Sequence, residues 1–188
     1  MHKKQRIIAI SIIFVIIFVL IILLVPKINE ETTYEIKYTE YVEKYAEQNN
    51  IDKYLIYAVI RTESSFDEKA ESNVGARGLM QIMPDAFDWV KMKLNDKREI
   101  TFDDMFTAEY NIEYCSYYLG YLMKKYNNNV SLTAAAYHAG FNQVDRWLED
   151  TNISQNGKTI EKYPSSVTNH YVKKVTNAYK SYKNLYDK

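Results

Sequence analysis

The chain has a single cysteine, Cys115, in 188 residues, so no disulfide can form within it and the fold must rest on packing alone. Its three histidines, His2, His138 and His170, offer no metal-ligand spacing with one cysteine, so neither a metal nor any other cofactor is expected. Charge of one sign is also missing, because 24 basic residues balance 24 acidic ones. Three of the basic residues, Lys3, Lys4 and Arg6, precede an apolar run that no acid precedes. That leaves 21 against 24 in the rest of the chain and excludes the basic footprint of a nucleic-acid binder. There is no phosphate loop, dinucleotide fingerprint or Ser-His-Asp set. Strand-period alternation is almost absent and no segment repeats, so the chain reads as nearly all helical.

What is present begins with residues 7–25, an unbroken apolar run in which Ser11 is the only polar residue. At 1.5 Å per residue it would span roughly 28 Å as a helix, close to the thickness of a hydrocarbon core. A cleaved signal would carry a shorter apolar stretch and end in small residues, whereas this run ends Leu24, Val25, Pro26, Lys27. The expectation is therefore an uncleaved transmembrane signal-anchor over 7–25. The basic flank 1–6 would stay in the cytoplasm, and everything after Pro26 would lie on the outer face of the membrane. Residues 26–33 read as a tether, and about 150 residues remain, enough for one domain over 34–188.

Helical spacing of Tyr34, Tyr38, Tyr41, Val42 and Tyr45 predicts an amphipathic helix over 34–48, ended by Asn49 and Asn50. Asp52 suits the N-cap of a second helix reaching about Ser64. Glu63 then falls at a helix C-terminus, where the dipole disfavours a carboxylate. Gly75 and Gly78 suggest a tight turn or small β-hairpin before a short helix near 79–82, and Pro84 fits the first turn of the helix after it. Further helices are expected over about 107–126, 132–139, 142–148 (capped by Asn142) and 168–186. Ile112, Cys115, Leu119, Leu122 and Met123 form the buried face of the longest of the first three.

Three segments stand in a telling order: I-R-T-E-S-S-F over 60–66, S-N-V-G-A-R-G-L-M-Q-I-M-P over 72–84, and A-A-Y-H-A-G over 135–140. Together with Asn111-Ile112, Tyr118-Leu119, Val144, Trp147-Leu148 and Tyr171-Val172, they resemble the lytic transglycosylase domain of the soluble-lytic-transglycosylase type in glycoside hydrolase family 23, which also holds the goose-type lysozymes. The resemblance covers roughly 41–179. It implies a lysozyme-like helical fold with a cleft and a small hairpin beside it, acting on the glycan strands of peptidoglycan with Glu63 as the single catalytic carboxylate. It further implies that Ser72, Met80 and Gln81 line the cleft, that Tyr137 approaches Glu63, and that His138 stands where the family has an Asn. Val167-Thr168-Asn169 replaces the family's E-T-R ahead of Tyr171-Val172.

The residues support the chemistry independently. Cleaving a glycosidic bond needs a proton on the leaving oxygen, and a Glu can supply it near neutral pH only if an apolar setting raises its pKa. Val59, Ile60 and Phe66 flank Glu63. Ordinary glycosidases use two carboxylates, yet Asp67, Glu68, Glu71 and Asp85 all read as solvated turn or first-turn acids. The family resemblance implies why one suffices: the substrate's own muramoyl C6 hydroxyl attacks, leaving a 1,6-anhydro end. Helical spacing alone suits Met80 equally to the core, and the 18 tyrosines suit packed filler as well as sugar stacking. A muramidase using water, or a glycan-binding module of weak activity, are the competing readings.

Overall fold

Residues 54–60 read Y-L-I-Y-A-V-I, apolar on every side of a helix, so that helix must be central. The computed structural model describes Ile13, residues 16–19 and residues 32–187. From residue 36 onward the chain forms one compact unit. Its described α-helices are α1 (Thr39–Asn49), α2 (Lys53–Glu63), α3 (Pro84–Leu94), α4 (Ala108–Lys125), α5 (Val130–Ala139), α6 (Phe141–Glu149) and α7 (Ser166–Tyr186). A 3-10 turn, Phe102–Phe106, precedes α4.

All seven residues from Tyr54 to Ile60 are buried, because α1 and α7 both pack against α2. Helix α7 runs antiparallel to it and is fastened at both ends. Near one end the Asp52 carboxylate accepts from the Tyr179 hydroxyl at 2.8 Å and pairs with Lys183 at 3.0 Å. Near the other, the Tyr171 hydroxyl reaches Glu63. Asp52 also caps α2 by accepting from the Tyr54 N–H at 2.9 Å. Three alanines of α5, Ala134 to Ala136, are buried, and side chains this small let α5 lie close between α6 and α7.

The fold is mainly helical, as the sequence indicates, with local departures. Helix α1 starts at Thr39 rather than residue 34, because Tyr38 takes a left-handed conformation (φ 56°) and breaks the continuity that the tyrosine spacing suggested. Gly140, not Asn142, precedes α6. The expected β-hairpin does not form a ladder: the described residues contain no strand, only isolated bridges between Glu71 and Arg77 and between Arg77 and Ile82. The short helix near 79–82 is likewise a turn, with Gln81 left-handed at φ 51°. Side chains take the backbone groups that a ladder would need: Ser64 Oγ donates to the Leu79 carbonyl at 2.8 Å, and Asn111 binds the Arg77 carbonyl and the Met80 N–H.

The expected membrane span over 7–25 lies outside the described residues, apart from Ile13 and residues 16–19. Those five are helical, with exposed apolar side chains. Among the described residues no helix is long and apolar enough to cross a membrane.

Candidate active site

The end of α2 is shaped by the residues that follow Glu63. Ser65 and Phe66 are both left-handed (φ 52° and 68°), which reverses the chain at once and buries the Phe66 ring. Neither residue type favours that conformation, so the reversal is held by its surroundings. Ser65 Oγ accepts from Arg61 at 2.7 Å, while Ser64 ties the helix end to the 78–81 loop.

That loop is fixed from α4. Asn111 is fully buried, and its amide donates to the Arg77 and Met105 carbonyls at 2.9 Å each and accepts from the Met80 N–H at 2.8 Å. Gly78 sits between them at φ 76°, where a Cβ would meet the Met105 carbonyl oxygen at 2.1 Å and the Asn111 amide nitrogen at 2.4 Å. Only glycine fits, for conformation and for space together.

Glu63 is partly exposed and sits within this frame at the negative end of the α2 dipole. Its Oε1 accepts from the Tyr171 hydroxyl at 2.6 Å, and among the described residues no cation pairs with it. Burial raises its pKa from the ordinary 4.5 to about 7, and the Tyr171 hydrogen bond offsets only part of that rise. Burial and the neighbouring Glu63 charge push the Tyr171 phenol well above 10, so it remains a donor. A partly protonated carboxyl at neutral pH, steadied by a neutral donor, can both give and take a proton.

Tyr137 enters from α5. Its hydroxyl donates to the Met80 carbonyl at 2.8 Å, and burial, with Cys115 and Glu63 nearby, holds its pKa far above 10. The Cys115 thiol is buried and pushed up to about 12, which makes it a packing residue. His138 follows Tyr137 and leans over Tyr171 with ring centroids 4.7 Å apart, its Nδ1 3.2 Å from Thr168 Oγ1. Burial lowers its pKa below 6.5, favouring the neutral ring at physiological pH.

A cavity of about 380 Å³ opens on Tyr137 and His138 and is lined also by Gln81, expected from sequence, and by Asp85; Glu63 and Tyr171 are not among its lining residues, and Glu63 adjoins it through Tyr137. The Gln81 amide nitrogen is committed to the Ala70 and Gly78 carbonyls at 3.0 Å each, which leaves its oxygen as the group free for a ligand. The Met80 side chain is fully enclosed and reaches the site only through its backbone. Ser72 Oγ accepts from the Ala76 N–H at 2.9 Å and closes the turn before Arg77, away from the cavity lining. The sequence reading gave Tyr171 no role in the site, although the Tyr171-Val172 match was the available signal. Among the described residues no group of His, Cys, Asp and Glu comes together that could hold a metal ion.

The fold and site define a helical domain built around one desolvated carboxyl at a helix end, with a cavity on the neighbouring Tyr137. The chain belongs to the transglycosylase SLT domain family, whose model matches residues 40–160. It is 34% identical over 155 residues to a soluble lytic murein transglycosylase of Salmonella typhimurium, covering 81% of this chain and 24% of that one. A membrane-bound lytic murein transglycosylase C of Serratia proteamaculans is 30% identical over 171 residues, covering 78% of this chain and 47% of that one. The crystal structure of the 70 kDa soluble lytic transglycosylase from Escherichia coli superposes with a TM-score of 0.75 at 27% identity, over 83% of this chain and 25% of that one. The chain thus spans about a quarter of the length of the soluble relatives it matches.

Proposed function

We propose that the chain is a peptidoglycan lytic transglycosylase, a lyase that cleaves the bond between N-acetylmuramic acid and N-acetylglucosamine. The observation that carries this reading is the Glu63 carboxyl, lifted to about 7 by burial with the Tyr171 phenol as its one hydrogen-bond partner among the described residues. Glu63 protonates the bridging oxygen as its bond to the anomeric carbon breaks. It then takes the proton from the muramoyl C6 hydroxyl, whose oxygen closes onto that carbon. The product ends in 1,6-anhydro-N-acetylmuramic acid and no water is consumed. Tyr137 steadies the positive charge that develops on the sugar. Gln81 and His138 bind substrate from the cavity wall and Met80 through its backbone, while Ser72, outside that lining, belongs to the substrate-binding set only where the glycan extends past the turn before Arg77.

The apolar run over 7–25 serves as a single-pass anchor between a cytoplasmic flank 1–6 and a tether 26–33. The catalytic domain 34–188 then works on glycan strands at the outer face of the cytoplasmic membrane. The exposed apolar side chains of Ile13 and residues 16–19 favour this, as does the likeness to the membrane-bound Serratia transglycosylase.

Hydrolysis of the same bond is the second reading, favoured by Asp85, a carboxylate on the cavity wall in addition to Glu63 at the end of α2. Mass spectrometry of digested peptidoglycan separates the two, since anhydro products lack one water relative to hydrolytic ones. Reducing-end products from the wild type would replace the transglycosylase reading by a muramidase.

A further inference from the structure

One end of the cavity is closed by aromatic side chains that the reaction above does not use. Trp89 shares a face of α3 with Asp85 and Ala86, and all three line the cavity. Its indole meets Tyr121 edge to face at 4.7 Å and Phe141 at 6.1 Å, and Tyr121 meets Phe141 at 5.9 Å. Rings from α3, α4 and α6 therefore brace one another at steep angles. Tyr118 stands 5.6 Å from Trp89 and 5.7 Å from Tyr137, so an unbroken aromatic wall runs from Trp89 to the phenol beside Glu63.

Packing explains the bracing rings better than it explains Trp89. The indole is only half-buried, and the surface it leaves uncovered borders the cavity. Polar groups share the cavity with it: Asp85, Gln81, His138 and Asn142. An aromatic surface near convergent hydrogen-bonding groups suits a pyranose ring, whose axial C–H face is apolar and whose equatorial hydroxyls point outward. Bracing also fixes the indole before a ligand arrives, which reduces the entropy lost on binding.

We propose that Trp89, held by Tyr121 and Phe141, is a stacking platform for a sugar ring beyond the pair whose linkage Glu63 cleaves. It sets the length of glycan that the chain grips on that side. The inference rests on the glycan reading above, but its binding test does not depend on turnover.

The test uses the full chain carrying Glu63→Gln, so that no ligand is consumed, and Trp147→Phe, so that Trp89 is the remaining indole. Chitooligosaccharides of increasing length are titrated while indole emission is followed, with calorimetry on the chain that keeps Trp147 as a second measurement. The expected result is a saturable emission change that appears only above a minimum oligosaccharide length. Trp89→Ala should weaken binding about tenfold or more, as truncation of a central aromatic contact does, and Trp89→Phe should restore part of it. On peptidoglycan, Trp89→Ala should raise KM for long strands more than it lowers kcat. Calorimetric binding with no emission change, equal affinity in Trp89→Ala, or no oligosaccharide binding at all would overturn the platform and leave the cleavage reading to its own assay. Loss of cleavage by the wild type with binding intact would do the reverse.

Discussion

Two carboxyl groups, Glu63 at the end of α2 and Asp96 just after α3, each accept a hydrogen bond from a buried tyrosine, yet they are shifted in opposite directions. Tyr171 donates to Glu63 at 2.6 Å and Tyr114 to Asp96 at 2.8 Å. The Asp96 side chain is only 6% exposed, but what covers it is a guanidinium. Arg98 reaches both of its oxygens, at 2.6 and 3.0 Å, and its backbone N–H adds a third contact at 2.9 Å. The Arg98 hydrogen bonds hold Asp96 far below the usual carboxylate range. Glu63 has protein mass around it, a phenol on one oxygen and, among the described residues, no cation, so desolvation wins and it reaches about 7. Shielding from water does not by itself make an acid catalyst; what matters is shielding without a counter-charge.

The largest consequence of this difference is kinetic. Glu63→Gln keeps the size and an acceptor for Tyr171 but removes the proton, so peptidoglycan cleavage should fall by about 10² to 10⁴-fold. Asp96→Asn, outside the site, should leave it within about twofold. Equal losses in the two variants would erase the distinction.

The next effect is on stability and has opposite signs at the two groups. The folded state binds the Glu63 proton more tightly than the unfolded chain does. As pH rises from the ordinary 4.5 through about 7, the wild type therefore loses stability that Glu63→Gln does not lose. Thermal or urea unfolding should find Glu63→Gln more stable by on the order of 2 to 3 kcal/mol at pH 8, with little difference at pH 4. A variant less stable than the wild type at pH 8 would contradict a charge buried at a cost.

Asp96 gives the smaller effect. Its depressed pKa contributes stability that is present above the ordinary 3.8 and is lost as pH falls through the folded value. Arg98 is about half exposed and also pairs with Glu113, so Asp96→Asn should cost only about 1 to 2 kcal/mol at pH 7 after solvent screening. The cost should shrink in strong acid. A constant cost across that range would mean that shape, not charge, holds the corner together.

Local chemistry made much of this frame legible in the sequence. Asp52 caps α2 and Pro84 opens α3, because both roles depend on one residue and its immediate backbone. The placement of Glu63 at a helix end followed from the same local reasoning. Over 70–82 the tight turn is present but the hairpin ladder and the short helix are not, because the backbone partners come from elsewhere: Asn111 is 31 residues from Met80, and no local pattern announces that bond. The same limit hid Tyr171, 108 residues from Glu63, and the wall of Trp89, Tyr121 and Phe141, whose rings meet only once three helices are packed.

The protonation state of Glu63 is the point on which the account turns, and it can be observed directly. With glutamate labelled by ¹³C at the side-chain carboxyl, the Glu63 resonance is assigned by its absence in Glu63→Gln and followed by NMR against pH. The account predicts a midpoint near 7, well above the ordinary 4.5. A midpoint at or below the ordinary 4.5 would show a carboxylate fully charged at neutral pH and would contradict its role as the general acid.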